Sequence, residues 1–264
     1  MDFLKRNKAP ITDKVWEEID DRAREVLKPE LYARKFVDID GPHGWEFSAQ
    51  SLGRVSKVQE AAGVYWAKRE VLPLLELKIP FELDKKILDD INRGNPSVDL
   101  EPLDNAARKI AEFEDNLVYA GLESANIEGL KTVLEDRKTD VKVDSSSALL
   151  QGINQSMSEF KKEGIEGPFA LVIDRKQWSK LIAEKQGYPL NRLVKDLLFD
   201  GEIILSPRFD KPFLVSLQGG DLKLVVGQDM SLGYEGELKD KVRFYFIESL
   251  TFQIITPEAV LRLG

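Results

Sequence analysis

The stretch Asp104–Leu122, DNAARKIAEFEDNLVYAGL, decides how the chain is read. With Leu103 ahead of it, apolar residues recur at spacings of three and four: Leu103, Ala107, Ile110, Phe113, Leu117 and Gly121. That period is the signature of an amphipathic helix, and its length makes it the expected spine of a domain. The polar residues Glu112, Glu114, Asp115 and Asn116 interleave with the apolar ones, as on a solvated or interfacial face, and do not form a catalytic cluster.

On its N-terminal side the pattern is different. Residues 46–83 read as extended: Arg54 to Gln59 alternates, and Val71-Leu72-Pro73-Leu74-Leu75-Glu76-Leu77-Lys78-Ile79 carries a proline that a helix interior rejects. A proline in such a run belongs on an edge strand, so the segment is expected to be a projecting β-arm. Further upstream, Thr12 is a candidate N-cap for a helix with Val15, Trp16, Ile19, Ala23, Val26 and Leu27 on one stripe, expected to end at Lys28-Pro29. A short helical stretch, Glu30 to Lys35, should lead through Phe36-Val37-Asp38 into the turn Asp40–Gly44.

On the C-terminal side, from Asp144, the order is a Ser-rich cap, a helix through Lys162, the strand Phe169–Ile173, helices at Arg175 to Lys185 and Asn191 to Phe199, and strands at Ile203 to Leu205 and Phe213 to Leu217. This is a compact α/β unit. Four extended runs follow: Leu222 to Val226, Met230 to Tyr234, Val242 to Ile247 and Thr251 to Ile255. The chain is therefore expected to be an α+β protein of two intertwined domains, and 264 residues with 42% hydrophobic side chains suffice for that.

Composition narrows the chemistry. There is no cysteine and one histidine, which excludes disulfides, thiolate nucleophiles, zinc knuckles, cysteine-ligated clusters and multi-histidine metal sites. A formal charge of −8 argues against nonspecific nucleic-acid binding. MDFLKRNKAP lacks the apolar core of a signal peptide, and no apolar run approaches the ~20 residues of a membrane helix. A soluble, cytoplasmic protein is expected.

No residue set stands out as catalytic. His43 lies in a Gly/Pro turn and reads as an exposed or turn-packing imidazole. Gly219-Gly220-Asp221 and Gly227-Gln228-Asp229 resemble phosphate loops, but no convincing helix follows either, so tight turns between strands explain them better. The pairs Glu17-Glu18, Asp20-Asp21 and Asp89-Asp90 are adjacent and would diverge by about 100° on a helix. Trp16, Trp45, Trp66 and Trp178 read as core or interface anchors.

A set of motifs in order along the chain nevertheless resembles one family. These are MDFLKR with Ala9-Pro10; Leu31-Tyr32-Ala33-Arg34-Lys35-Phe36-Val37-Asp38; Gly41-Pro42 and Gly44-Trp45-Glu46; and Glu112-Phe113-Glu114-Asp115. Gly164-Ile165-Glu166-Gly167-Pro168 follows, then Gly219-Gly220-Asp221 and Gly227 to Tyr234. Together they resemble the type 1 encapsulin shell proteins, from the first residues to Thr251-Phe252-Gln253.

The resemblance implies the fold of tailed-bacteriophage major capsid proteins. It implies an N-terminal helix and P-domain start in 1–45, an E-loop in 46–83, a P-domain in 84–143 with its spine helix at 104–122, an A-domain in 144–226, and returning strands in 227–264. It further implies a homo-oligomer, the T=1 icosahedral shell of about sixty copies, which encapsulates cargo for iron storage or defence against oxidative stress. The cargo would be a ferritin-like protein first and a dye-decolourising peroxidase second, held by a C-terminal targeting peptide on the lumenal face.

By the same resemblance the peptide would lie on Leu27, Leu31, Arg34, Val37, Asp38, Met230, Leu232 and Tyr234, with the apolar positions receiving peptide side chains. Arg34 and Asp38 would set polarity if the turn between them is helical. The loop Glu184-Lys185-Gln186-Gly187-Tyr188-Pro189 would line the five-fold pore. Some relatives stack a flavin on an aromatic side chain where this chain has Lys86, so no flavin is expected; nor are a metal, another cofactor, nucleic acid or a membrane. The alternatives are a phage or prophage major capsid protein and, from the bacteriocin-like naming of the family, a peptidase. The composition stands against an enzyme.

Overall fold

The computed structural model describes residues 3–183, 189–209 and 211–264. The chain divides into two compact units, each assembled from three separate segments. The first comprises Met1–Leu31, Asp40–Glu114 and Val225–Thr251; the second comprises Tyr32–Ile39, Asp115–Leu224 and Phe252–Gly264.

In the first unit the helix Asp13–Glu30 begins at Thr12, whose hydroxyl accepts the Val15 N–H at 3.4 Å. Its buried residues, Val15, Trp16, Ile19, Ala23 and Val26, belong to the expected stripe, whose last member, Leu27, is only partly buried. The helix runs one residue past Pro29, where a break is expected. Proline removes only its own N–H, and the Leu31 N–H still closes the last turn on the Leu27 carbonyl at 3.1 Å.

This helix covers an antiparallel sheet in which Lys241–Ile254 pairs on one side with Leu75–Asp84 and on the other with Ser231–Glu237. The register sets Phe244 opposite Phe81, Phe246 opposite Ile79 and Val242 opposite Leu83, so the sheet face carrying these three pairs is apolar there. Trp16 meets Phe244 edge-on at 5.4 Å, and Leu103, Ala106, Ala107 and Ile110 from the helix Glu101–Ala120 complete the core. That helix answers the expected Asp104–Leu122, starting and ending slightly earlier.

Lys241–Ile254 is a single strand of fourteen residues where two shorter runs are expected. Glu248-Ser249 reads as a polar break, but Glu248 is fully buried and the Ser249 hydroxyl accepts the Gln228 N–H at 2.7 Å, so pairing continues through both. The helix Lys85–Arg93 is also unannounced by the extended pattern before it. It buries Leu88 and Ile91 and ends on Gly94, whose φ of 84° suits a left-handed cap.

Residues 49–73 form two ribbons. Ala49–Val55 pairs with Arg69–Pro73, placing Pro73 in a two-stranded ladder as expected of an edge, and Gln59–Ala61 pairs with Val64–Trp66. The second hairpin turns through Ala62-Gly63, both at positive φ, the turn that matches strand twist. Val55, Val58, Val64, Tyr65, Trp66 and Val71 on these ribbons are exposed.

The second unit is built on a four-stranded sheet. Phe169–Ile173 is central, parallel to Glu202–Leu205 and antiparallel to Phe213–Ser216, which pairs in turn with Val260–Arg262. All five residues of Phe169–Ile173 are buried, as the continuous apolar run requires. The helix Ser146–Glu163 is capped by the Ser145 hydroxyl, and Arg175–Ile182 by Asp174, whose carboxylate accepts two backbone N–H groups at 2.8 and 3.0 Å. Phe160 stacks on Phe169 at 4.9 Å, and Trp178, Val194 and Leu198 pack against the same core. The grouping of 227–264 as one set of returning strands needs correction at its end. Val260–Arg262 pairs in this sheet, because Val260 and Leu261 are buried where only an apolar edge strand fits.

Among the described residues no helix is long and apolar enough to cross a membrane, and no cluster of histidine and carboxylate side chains is arranged to hold a metal ion.

Candidate functional site

In the first unit, four of the residues expected to receive a peptide come together. Leu232 is buried in the core that the N-terminal helix and the sheet share, and Leu27, Met230 and Tyr234 pack at its rim, each partly exposed. Met230, Leu232 and Tyr234 alternate along the chain and so project to one face. The Tyr234 ring meets Phe244 at 6.5 Å, while its N–H donates to the Leu4 carbonyl at 2.8 Å.

The turn into this strand is held tightly. The Met230 N–H donates to the Asp229 carboxylate at 2.8 Å, the Ser231 hydroxyl to the Asp229 carbonyl at 2.8 Å, and the Gln228 amide to the Ser231 hydroxyl at 2.9 Å. Gly227-Gln228-Asp229 is thus a turn held by its own side chains and by Ser249, whose carbonyl accepts the Gly227 N–H at 2.8 Å. Leu31, half-buried, closes the helix beside Leu27. Leu27, Leu31, Met230 and Tyr234 thus keep open apolar faces suited to accept apolar groups, whereas Leu232, expected to meet the peptide, is instead core that supports them.

Arg34, Val37 and Asp38 belong to the second unit. Val37 is buried. The turn that would let Arg34 and Asp38 face one another is a 3₁₀ turn confined to Ala33–Lys35, and Asp38 already begins a strand, so the helical i,i+4 geometry is absent. The Asp38 carboxylate instead accepts the Gly220 N–H at 2.6 Å. Gly219 and Gly220 hold φ of 89° and 87°, a conformation costly for other residues, which turns the backbone donor toward that acid. The Gly-Gly-Asp motif therefore anchors a carboxylate of the chain itself.

The remaining sites are quickly placed. His43 Nε2 lies 2.9 Å from Asp40 Oδ1 and its ring 4.5 Å from Phe47, a turn-packing imidazole. Lys86 is exposed on the helix Lys85–Arg93. Of the expected pore loop, Glu184–Tyr188 lie outside the described residues, and Pro189 precedes the helix Leu190–Leu197 as its cap residue.

Sequence reading missed a charge lattice on the polar side of the sheet. Arg243 donates to Glu82 at 2.7 and 3.1 Å and lies 3.8 Å from Glu235; Lys78 reaches Glu235 at 2.7 Å, and Lys85 reaches Glu237 at 2.6 Å. The hydrogen bond from Arg243 holds the Glu82 carboxyl below its ordinary range, and the same bond raises the Arg243 guanidinium. The signal was present as charged residues alternating with Leu77, Ile79, Phe81 and Leu83, but which strand would oppose them was not.

A family model described as "Encapsulating protein for peroxidase" matches residues 1–251. The chain is 38% identical over 273 residues to a type 1 encapsulin shell protein of Rhodospirillum rubrum, covering all of this chain and 96% of that one. It belongs to the encapsulin shell-protein family. The family accounts for the missing catalytic constellation: the chain is a shell protein and not an enzyme. Its fold is capsid-like. It superposes on the crystal structure of a virus-like particle from Pyrococcus furiosus with a TM-score of 0.65 at 23% identity, covering 96% of this chain and 98% of that one. With the capsid of Myoviridae phage XM1 the TM-score is 0.59 at 10% identity, covering 88% and 90%. A further encapsulin relative, from Pyrococcus furiosus, is a ferritin-like–encapsulin shell fusion protein, 29% identical over 215 residues, or 80% of this chain and 58% of the fusion.

Proposed function

We propose that this chain assembles into a closed icosahedral compartment in the cytoplasm, the T=1 shell of about sixty copies. The compartment takes up a cargo enzyme through a peptide that docks on Leu27, Leu31, Met230 and Tyr234, over the buried Leu232. The observation that carries the assembly is the pair of β-ribbons over residues 49–73, where six large apolar side chains are exposed on a segment with no core of its own. Such a surface is costly in a monomer and is explained by a second copy that covers it.

The cargo reading is supported by the family description, which names a peroxidase, and by the relative fused to a ferritin-like protein. Both point to iron storage or defence against oxidative stress, with a ferritin-like protein as the first cargo and a peroxidase as the second. Burying three apolar peptide side chains supplies roughly 5–9 kcal/mol gross, which association and ordering costs reduce to a single-site affinity on the order of micromolar. A multimeric cargo carrying several tags gains by avidity, so the individual site need not be tight.

The deciding experiment is the mass of the purified protein in solution by light scattering and negative-stain microscopy. Megadalton closed particles are expected; a stable monomer across ordinary salt and pH would overturn the proposal.

A further inference from the structure

The first described residues, Phe3 to Lys8, lie against the strand Ser231–Glu237 within the first unit. Among the described strands, Ser231–Glu237 has a partner on one side only, Lys241–Ile254. On its other side the Tyr234 N–H donates to the Leu4 carbonyl at 2.8 Å, so the N-terminal segment sits on an otherwise open edge. Gly233 pairs with Tyr245 and Tyr234 with Phe244, so by alternation the Tyr245 ring stands on the face opposite Tyr234. There the Tyr245 hydroxyl donates to the Phe3 carbonyl at 2.8 Å, and the Phe3 ring stacks on Trp45 at 4.9 Å. The segment therefore wraps around the edge, from the side of the N-terminal helix to the far face of the sheet.

Its hold is uneven along its length. From Arg6 onward it is fixed: the guanidinium makes a two-pronged pair with Asp20 at 3.0 and 2.6 Å and lies 4.0 Å from the centre of the Trp16 ring, and Ala9 and Ile11 pack on the core. Ahead of Arg6 the grip is slighter, with Phe3 49% exposed, Leu4 half-buried and Lys5 exposed. Lys5 holds a φ of 51°, a left-handed conformation uncommon for a lysine, so the bend between the fixed and the lightly held part carries backbone strain. Both polar contacts of the lightly held part are accepted by backbone carbonyls, those of Phe3 and Leu4, and every extended peptide carries the same group. Tyr234 also has one of the open apolar faces at the candidate peptide surface. A peptide laid on Met230 and Tyr234 thus brings its own carbonyls to the Tyr234 N–H.

We propose that Phe3–Lys5 is a displaceable strap. It closes the edge of Ser231–Glu237 in the unloaded subunit; an incoming cargo peptide takes over the Tyr234 N–H by adding along that edge, and the strap swings out about Lys5. The proposal rests on the reading of Leu27, Leu31, Met230 and Tyr234 as the peptide surface. At Tyr234 one carbonyl replaces another, an exchange of like for like. The cost of opening therefore lies on the far face, in the Tyr245 hydrogen bond and the Phe3–Trp45 stack, which the peptide does not replace. Weakening either contact favours loading.

The test is a loading curve. Disassembled subunits are reassembled over a concentration series of a fluorescein-labelled synthetic peptide, the C-terminal sequence of the protein that co-purifies with the shells, and bound label is counted after free peptide is removed. Tyr245→Phe deletes only the hydroxyl, Phe3→Ala removes the stacked ring but keeps the carbonyl, and Met230→Asp is the control at the peptide surface. Half-loading at a roughly fivefold lower peptide concentration is expected in each strap variant. Hydrogen exchange at the Tyr234 amide should be faster than in the parent when these variants are unloaded, and slow again once the peptide is bound. Half-loading unchanged or raised in both strap variants, with loading abolished by Met230→Asp, would overturn the strap and leave the peptide surface standing. Loading indifferent to Met230→Asp would remove the peptide surface and the role of the strap with it.

Discussion

The hairpin Gln59–Ala61/Val64–Trp66 can be stripped of its apolar surface without touching a core. Val64, Tyr65 and Trp66 are 64%, 70% and 41% exposed, and they pair only with Ala61, Glu60 and Gln59. Replacing all three by threonine keeps β-propensity. Just under two side-chain equivalents remain to be covered by a second copy, worth about 3–5 kcal/mol per arm at roughly 1.5–3 kcal/mol for a full side chain. Partial coverage and the retained threonine methyl groups reduce this to about 2 kcal/mol or more, an increase of about thirtyfold in the subunit concentration needed for assembly. The assay is light scattering across a dilution series, with circular dichroism of the disassembled chain as the control. The expected result is a raised assembly threshold with an unchanged melting profile of the subunit. Shells forming at the parental concentration would show that the arm is not an assembly element.

Three further outcomes are expected. Met230→Asp, or Leu31→Asp, at the rim of the apolar patch should leave shells intact but reduce cargo co-purification by tenfold or more; unchanged loading on denaturing gels would remove these residues from the peptide site. Phe160→Ala, at a fully buried ring stacked on Phe169, should destabilise the subunit by about 3–5 kcal/mol, read as a lower urea midpoint. The Glu82 carboxyl is held below its ordinary range by Arg243. Its contribution is therefore fully present above the ordinary carboxylate range and is lost as pH falls through the lowered value. Glu82→Gln should be less stable than the parent at neutral pH and should converge with it in acid; a difference independent of pH would disprove the coupling.

How far the sequence could be read depended on whether a segment's partner was near or remote. The stripe Val15–Trp16–Ile19–Ala23–Val26 and the uninterrupted Phe169–Ile173 were legible because burial of a helix face or a central strand writes its own period. Pro73 was legible because only an edge tolerates it. By contrast, the strand Lys241–Ile254 looked like two, because Glu248 and Ser249 are polar and become tolerable only through contacts with remote residues, such as that of Gln228 with Ser249. Lys85–Arg93 and Val260–Arg262 are too short for a period to emerge. At the candidate peptide surface, residue type was readable from Leu27, Met230 and Tyr234. The role of Asp38 was not, because a glycine pair some 180 positions away supplies its hydrogen bond.

The interleaving of the two units bears on the order in which surfaces are completed during synthesis. The chain passes between them five times, so on the ribosome neither is finished early. The first unit lacks the strand that joins its sheet until Lys241–Thr251 has emerged, and the sheet of the second keeps an open edge until Val260–Arg262 follows. The ribbons over residues 49–73, with their exposed valines and aromatic rings, emerge long before either surface exists. The arm is thus synthesised well before the sheets of either unit can close, and an apolar surface stands exposed on the chain through most of its synthesis.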